Sequence, residues 1–425
     1  MKKLDIAIVG GSIVGCSAAI LLRRAGHNVR IYERSSSKLI GRGGGMGTPV
    51  PVLESLIEAR LLDRDFPHLV ADRMPFIERT PEEPRVGESP WAMPLNLALF
   101  HWGALWHALR SRVADDRYQQ GARVVGASQD SGNGARLHFA DRTTLDVDLI
   151  VFADGYRSFG RSTLFPELDL TYRGYMLWRG LLPETSLSES DTLGTAIPRL
   201  SFPGESGHHV AYLLPGTDGS VQPGERIVNW ASYIPVPEEQ IGDVMIDRSG
   251  GPRIGTVPRG QMRPDEEDRL TAATVARLPD YYGEMVAASE STYVHLAYTV
   301  QVPAYRVGRM CLVGDAGTVA QHFTDSGIFK GFNNVVRLVD ALSKKNLEDS
   351  LDAWSAEQTL VGDRTLELGR QMEDAFVWKS PDLANTDPEA SERWLRGVWM
   401  DAAEKVVAST HPPTAPKRSS RSSRR

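Results

Sequence analysis

The stretch from Leu4 to Glu33 constrains this chain more than any other. Leu4, Ile6, Ile8 and Val9 make a short apolar strand, and Gly10-Gly11-Ser12-Ile13-Val14-Gly15 follows as a turn. A small-residue helix then runs from about Val14 to Ala25 and stops at Gly26, and a second strand, Asn28 to Tyr32, ends on the acid Glu33. Strand, glycine turn, helix, strand and terminal acid form a βαβ unit with a dinucleotide fingerprint. Gly10 permits the tight turn, and Gly15 lets the helix approach the strand. The helix N-terminus offers unpaired N–H groups and a partial positive charge to a pyrophosphate. Glu33 stands where a carboxylate accepts hydrogen bonds from a ribose. Ser12 fills the middle glycine position and is small enough to keep the approach close.

At 425 residues the chain exceeds one ordinary core, so two domains are expected. A net charge of −6 argues against nucleic acid as a main partner. The two cysteines, Cys16 and Cys311, fall inside a helix and an apolar strand and read as buried thiols, with no disulfide framework and no metal site. The N-terminus is already a strand by residue 4, and no apolar run approaches a membrane span, so a cytoplasmic protein without signal peptide or membrane contact is expected.

Two further stretches repeat the logic of the first. The apolar run Leu149 to Phe152 leads into Ala153-Asp154-Gly155-Tyr156-Arg157-Ser158-Phe159-Gly160-Arg161, and Arg309 to Val313 leads into Gly314-Asp315-Ala316-Gly317. Each places a carboxylate beside glycine at the carboxyl end of a buried strand, where open α/β sheets bind ligands. A helix from about Ile328 to Leu342 then presents another N-terminus. The glycine-dense Gly41 to Gly47 implies backbone lying against something flat or anionic, with Arg42 in reach of a phosphate or flavin. Leu95 to Val113 holds an amphipathic helix carrying Trp102, Leu105, Trp106, Leu109 and Val113. Arg123 to Leu145 reads as a small β-meander. Tyr172 to about Thr299 is rich in strand formers and aromatics and reads as an antiparallel sheet, with helices over Asp265–Leu278 and Tyr281–Ala288. Another helix is expected from Leu347 to about Met372. The tail from His411 reads as disordered.

In order and spacing, the three motifs resemble those of the FAD-dependent aromatic hydroxylases, the single-component flavoprotein monooxygenases. GGSIVG with Glu33 resembles their ADP-binding fingerprint, ADGYRSFGR their internal Asp-Gly motif, and GDAGTVAQHFTDSG their second FAD motif. Three departures stand out: Phe152 where glycine is usual, His322 where proline is usual, and Trp102 where arginine is common. The strings Tyr172–Gly180, Gly255–Gly260 and Trp102-Gly103-Ala104-Leu105 resemble the branch of 2,6-dihydroxypyridine 3-hydroxylase-like members.

The resemblance implies an α/β fold: a Rossmann-like, glutathione-reductase-type FAD domain with a parallel sheet, an antiparallel-sheet substrate domain, and C-terminal helices. The expected division is residues 1–75, 100–170 and 298–345 for FAD, 76–99 and 171–297 for substrate, 346–410 for the helices and 411–425 for the tail. It implies FAD as cofactor, NADH or NADPH as transient co-substrate, and O₂. The substrate would be a small phenol or hydroxypyridine, hydroxylated through a flavin C4a-hydroperoxide by a monomer or homodimer. Candidate cofactor-binding residues are Gly10, Ser12, Ile13, Gly15, Glu33, Arg34, Arg42, Asp154, Gly155, Gly314, Asp315 and Gly327, with Asp315 on the ribitol. Substrate activation calls for a base near neutral pKa, which favours histidine. The candidates taken are His322, by its motif position at the flavin face, and His209 with Tyr212, from one strand-like stretch. His101, His295 and Tyr298 are further possibilities. Three alternatives remain open: a halogenase, which Trp230-Ala231-Ser232-Tyr233-Ile234-Pro235 matches in part, a reductase relying on a partner, and a catalytically silent flavin binder.

Overall fold

The computed structural model describes residues 3–39, 43–129, 134–189, 192–202, 204–324, 326–379 and 387–395. The expected tail 411–425, the end of the expected C-terminal helical segment and Arg42 lie outside these residues.

The core of the first layer is a six-stranded sheet in the order Arg306–Val307, Met310–Leu312, Leu149–Phe152, Asp5–Val9, Asn28–Glu33 and Tyr118–Gln120. All neighbours are parallel except the outermost pair, Arg306–Val307 with Met310–Leu312. Leu149–Phe152 is buried along its whole length, as a parallel strand covered on both faces must be. Asp5–Val9, Leu149–Phe152 and Met310–Leu312 are immediate neighbours in step, Val9 opposite Phe152 and Phe152 opposite Leu312. Their carboxyl ends therefore share one edge, and the three motif loops leave that edge side by side. Helices Ile13–Arg24 and Ser326–Leu342 pack over the sheet, and a three-stranded meander, Val124–Gln129, Ala135–Phe139 and Thr144–Val147, flanks it.

The second layer is a long, mostly antiparallel sheet. Its strands run Thr256–Val257, Tyr293–Gln301, Thr171–Pro183, Ile227–Pro235, His208–Leu214, Arg199–Ser201, Leu69–Glu78, Glu88–His101 and Gly45–Pro49. It takes in residues on both sides of the expected boundary near residue 75, because Leu69–Glu78 pairs as one strand with Glu88–His101. One face packs Met176, Trp178 and Trp230 against Leu270, Tyr281 and Met285 of helices Pro264–Val275 and Asp280–Ala287. The other face carries Leu97, Leu99, Leu177, Val210, Ala231 and Tyr233 and looks toward the motif loops. Helix Leu347–Glu373 lies along Ser326–Leu342 and continues into a π-turn over Asp374–Trp378.

Candidate active site

The first motif builds a socket at its strand edge. Gly10 sits at φ +104°, and a Cβ there would lie 2.5 Å from the Ala153 carbonyl oxygen. A Cβ on Gly15 would lie 2.0 Å from the Gly10 carbonyl oxygen, so only glycine lets the helix start this close to the turn. The Gly11 carbonyl accepts from Trp106 Nε1 (3.0 Å), the Tyr118 hydroxyl (3.0 Å) and Cys16 Sγ (3.4 Å). Glu33 is bonded within the chain itself. Its two carboxylate oxygens accept from the N–H groups of Gly11 and Ser35, each at 2.8 Å, so it also fixes the turn. Cys16 is fully buried and its thiol is pushed up to about 12 by that burial, so it serves as packing.

The opening of helix Ile13–Arg24 has no side-chain cap and no acid in its first turn. It borders a cavity of about 1020 Å³ whose walls include Gly10, Ser12, Ile13, Glu33, Arg34, Trp102, Asp154, Gly155, Asp315 and Gly327. An uncapped helix start, a glycine cradle and a cavity of this size fit a dinucleotide cofactor. Arg34 and Arg123 flank the end that would take the adenosine, and Asp315 with the start of helix Ser326–Leu342 the end that would take the flavin.

The other two motifs are locked together by groups that sequence reasoning passed over. Asp154 turns inward: its carboxylate accepts from Ser158 Oγ (2.5 Å) and the Gly160 N–H (3.1 Å), shaping the start of helix Phe159–Leu164. Burial raises its carboxyl, and those two donors hold it back. Arg161, buried, reaches from this loop to the carbonyls of Asp315 (3.0 Å) and Ala316 (3.2 Å) in the third motif, and to that of Tyr156 in its own. Lys330, 1% exposed, sets its ammonium 3.0 Å from Asp315 Oδ1 and also donates to the Thr318 carbonyl. Lys330 lies fifteen positions after Asp315, and no sequence pattern links them. Gly314, at φ +62°, lets the chain turn here; its N–H donates to Asn334 Oδ1 at 2.8 Å.

A second cavity of about 420 Å³ adjoins the first. Both share Gly43, Met46, Trp102, Tyr156, His295, Asp315 and Gly327 in their walls. Beyond that junction the second cavity is lined by Leu97, Leu99, Leu177, Val210 and Ala231, and its polar groups include Arg179, Arg199, Tyr212, Tyr233, Gln321 and His322. Arg179, Ala231 and Val210 stand opposite one another on successive strands and share the cavity face. Trp178, Ser232 and His209 are paired in the same way on the opposite face.

The candidate catalytic residues therefore separate. His322 is exposed on the cavity wall. Desolvation by the protein packed around that space first, and Arg179 second, push it down to about 4, while Asp315 pulls the other way. His295 also lines the cavity, with Nδ1 2.8 Å from Thr256 Oγ1; burial, His322 and Arg179 push it down to about 3. Tyr212 and Tyr298 reach the same wall. His209 does not: it is fully buried on the far face, stacked on Trp230 at 5.6 Å with Nδ1 2.8 Å from Ser232 Oγ, and is pushed down to about 3 by burial. Trp230, the first residue of the partial halogenase string, lies on that far face too, its Nε1 donating to Ser289 Oγ. His101 caps helix Trp102–Arg110 through Nδ1, which accepts from the Gly103 N–H at 2.9 Å.

Comparison with known proteins agrees with this layout. Residues 3–189 match the model of an FAD binding domain family, and residues 172–298 that of an FAD binding domain-like family. The chain is similar to 2,6-dihydroxypyridine 3-monooxygenase of Paenarthrobacter nicotinovorans, at 27% identity over 86% of this chain and 90% of that one. It is also similar to 3-amino-4-hydroxybenzoate 2-monooxygenase of Streptomyces cremeus, at 27% identity over 81% and 80%. Among solved structures it resembles 2,6-dihydroxypyridine-3-hydroxylase from Arthrobacter nicotinovorans, with TM-score 0.80 and 25% identity over 88% of this chain and 93% of that one. On these grounds the chain carries an FAD binding domain and is similar, over most of its length, to FAD-dependent monooxygenases of aromatic and heteroaromatic rings.

Proposed function

We propose that this chain uses FAD, O₂ and NADH or NADPH to hydroxylate a small electron-rich ring of the phenol or hydroxypyridine type. The observation that carries the reading is the junction of the two cavities, where His295, Trp102 and Asp315 stand between a dinucleotide-sized space and an apolar, ring-sized one. Bound FAD supplies the activation of O₂ with electrons taken from NAD(P)H. The chain's own residues do the rest. Ile13 and its neighbours hold the pyrophosphate, Glu33 and Arg34 the adenosine end, and Asp315 with Lys330 the flavin end. Leu97, Leu99, Val210 and Ala231 exclude water from the reacting ring. Tyr212 and His322 orient its polar substituent, His322 as a neutral hydrogen-bond acceptor at pH 7. The parallel sheet serves the cofactor and the long antiparallel sheet the substrate. NAD(P)H supply places the work in the cytoplasm, by a monomer or homodimer.

The test is anaerobic reduction of the bound flavin by NADH and by NADPH, with and without a panel of phenols and hydroxypyridines, followed by aerobic turnover in ¹⁸O₂. The expected result is reduction much faster with one aromatic present, and a product that carries one ¹⁸O atom. A flavin that neither nucleotide reduces under any condition would sink the reading.

A further inference from the structure

The substrate cavity continues beyond the ring-sized space at the junction, and the sheet register places its two ends. Arg179 pairs across with Tyr293, which lines the cofactor cavity, so strand Thr171–Pro183 stands at the flavin end. From there Arg179, Ala231, Val210 and Arg199 follow one another in a single row across neighbouring strands. Three strand spacings carry that row over about 14 Å along the sheet. A phenol or hydroxypyridine covers less than half of it. All of these residues line the same cavity, of about 420 Å³, a size that encloses ligands larger than a single ring. Polar groups gather at the flavin end. Arg179 is hydrogen-bonded to Tyr212, His322 has Arg179 and Asp315 as charged neighbours, and the rings of His322 and His295 are 6.3 Å apart. The far end has another character. Met74, Ile197 and Phe323 line it, all buried and apolar. The polar side chains there engage the protein: the Arg199 guanidinium lies 4.1 Å from the centre of the Phe376 ring, and Gln321 donates to Glu373.

We propose that the substrate is a phenol or hydroxypyridine ring extended by an apolar arm or a fused second ring, which lies over Ala231 and Val210 toward Met74 and Ile197. The inference rests on the hydroxylase reading and narrows its substrate class. Water at the far end would find few polar partners, whereas each methylene placed there gains its transfer from water. The extension also orients the ring. With the arm lying along the row, the polar substituent of the ring is directed to Tyr212 and His322, at the end where the cofactor cavity begins.

The test compares matched probes on the FAD-loaded protein, with binding read from the change in flavin absorbance. One pair is phenol with 4-butylphenol, the other 2-hydroxypyridine with 2-hydroxyquinoline. The expected result is that in at least one pair the extended probe binds more than about tenfold tighter than its parent. Ile197→Trp puts a larger side chain at the far end and should cut that preference by about tenfold, since the extension loses its space while the ring keeps its own. Preference confined to the butylphenol pair assigns a flexible arm; confined to the quinoline pair, it assigns a fused ring. A preference below about tenfold in both pairs, or one that Ile197→Trp leaves intact, would overturn the assignment. If Ile197→Trp fails to retain FAD, Met74→Trp is judged by the same ratio. Preference for an extended probe without NAD(P)H-driven hydroxylation would sink the hydroxylase and leave the two-part cavity. Hydroxylation of a single ring that no extension helps to bind would do the reverse.

Discussion

His209 and Tyr212 show how a single pleat separates a site residue from a packing residue. They stand three apart on strand His208–Leu214, and successive side chains of a strand point to opposite faces. Only one of the two can face the cavity, and Val210 and Tyr212 take that face. The sequence offered the strand but not its orientation, since both faces of this sheet are buried and hydrophobic alternation is lost. The buried histidine has a measurable consequence. In the unfolded chain its imidazole takes a proton near pH 6.5, whereas the folded chain keeps it neutral to about 3. Below pH 6.5 the unfolded state therefore binds more protons, and stability falls with falling pH until the folded-state group itself titrates. His295, also held near 3, adds to the slope over the same window. The thermal midpoint followed by circular dichroism should thus drop between pH 7 and 4.5, and His209→Gln should flatten the drop. An unchanged slope in that variant would contradict this account.

At the scale of elements, the first βαβ unit was legible almost to the residue, because its small residues are demanded locally. Strand Asp5–Val9 and helix Ile13–Arg24 follow the expected limits. The Ser12 departure is harmless: its φ of −84° is open to any residue, so the middle position asks only for a small side chain. Gly15 is different. Its substitution by alanine drives a Cβ into the Gly10 carbonyl, and the turn or the helix must move, at a cost of about 1–3 kcal/mol. Gly15→Ala should lose FAD affinity by more than about tenfold while the long antiparallel sheet keeps its far-UV signal. Equilibrium dialysis of FAD checks this, and affinity within a factor of two of wild type would refute it. Helix Trp102–Arg110 lies inside the expected Leu95–Val113 stretch, but Leu95–His101 belongs to strand Glu88–His101, Val113 lies beyond the helix end, and the placing of Trp102 between the two cavities was not legible.

The whole molecule is fastened at Glu373, the last residue of its long helix. This buried carboxylate accepts from Arg173 on the substrate sheet (2.8 Å), from Gln321 next to His322 (2.5 Å) and from Trp378 in the π-turn (3.2 Å). Glu373→Leu leaves Arg173 without its acid and should cost about 3–5 kcal/mol, read as a lower midpoint in urea. A loss under 1 kcal/mol would show that the three elements hold together without it. No stretch of sequence announces this clamp, whose members are separated by 52 and 200 positions. The same division runs through the protein. The sequence by itself determined the nucleotide fingerprint, the two later Asp-Gly loops and the alternation of apolar runs with turns, because each rests on contacts between near neighbours in the chain. Only the tertiary structure decided that the three loops share one sheet edge, that Arg161 ties two of them together while Lys330 fastens the third, and that Arg179 rather than His209 faces the cavity. Those outcomes depend on strand order and on which face each strand presents, and both are set by packing between segments that are distant in the chain.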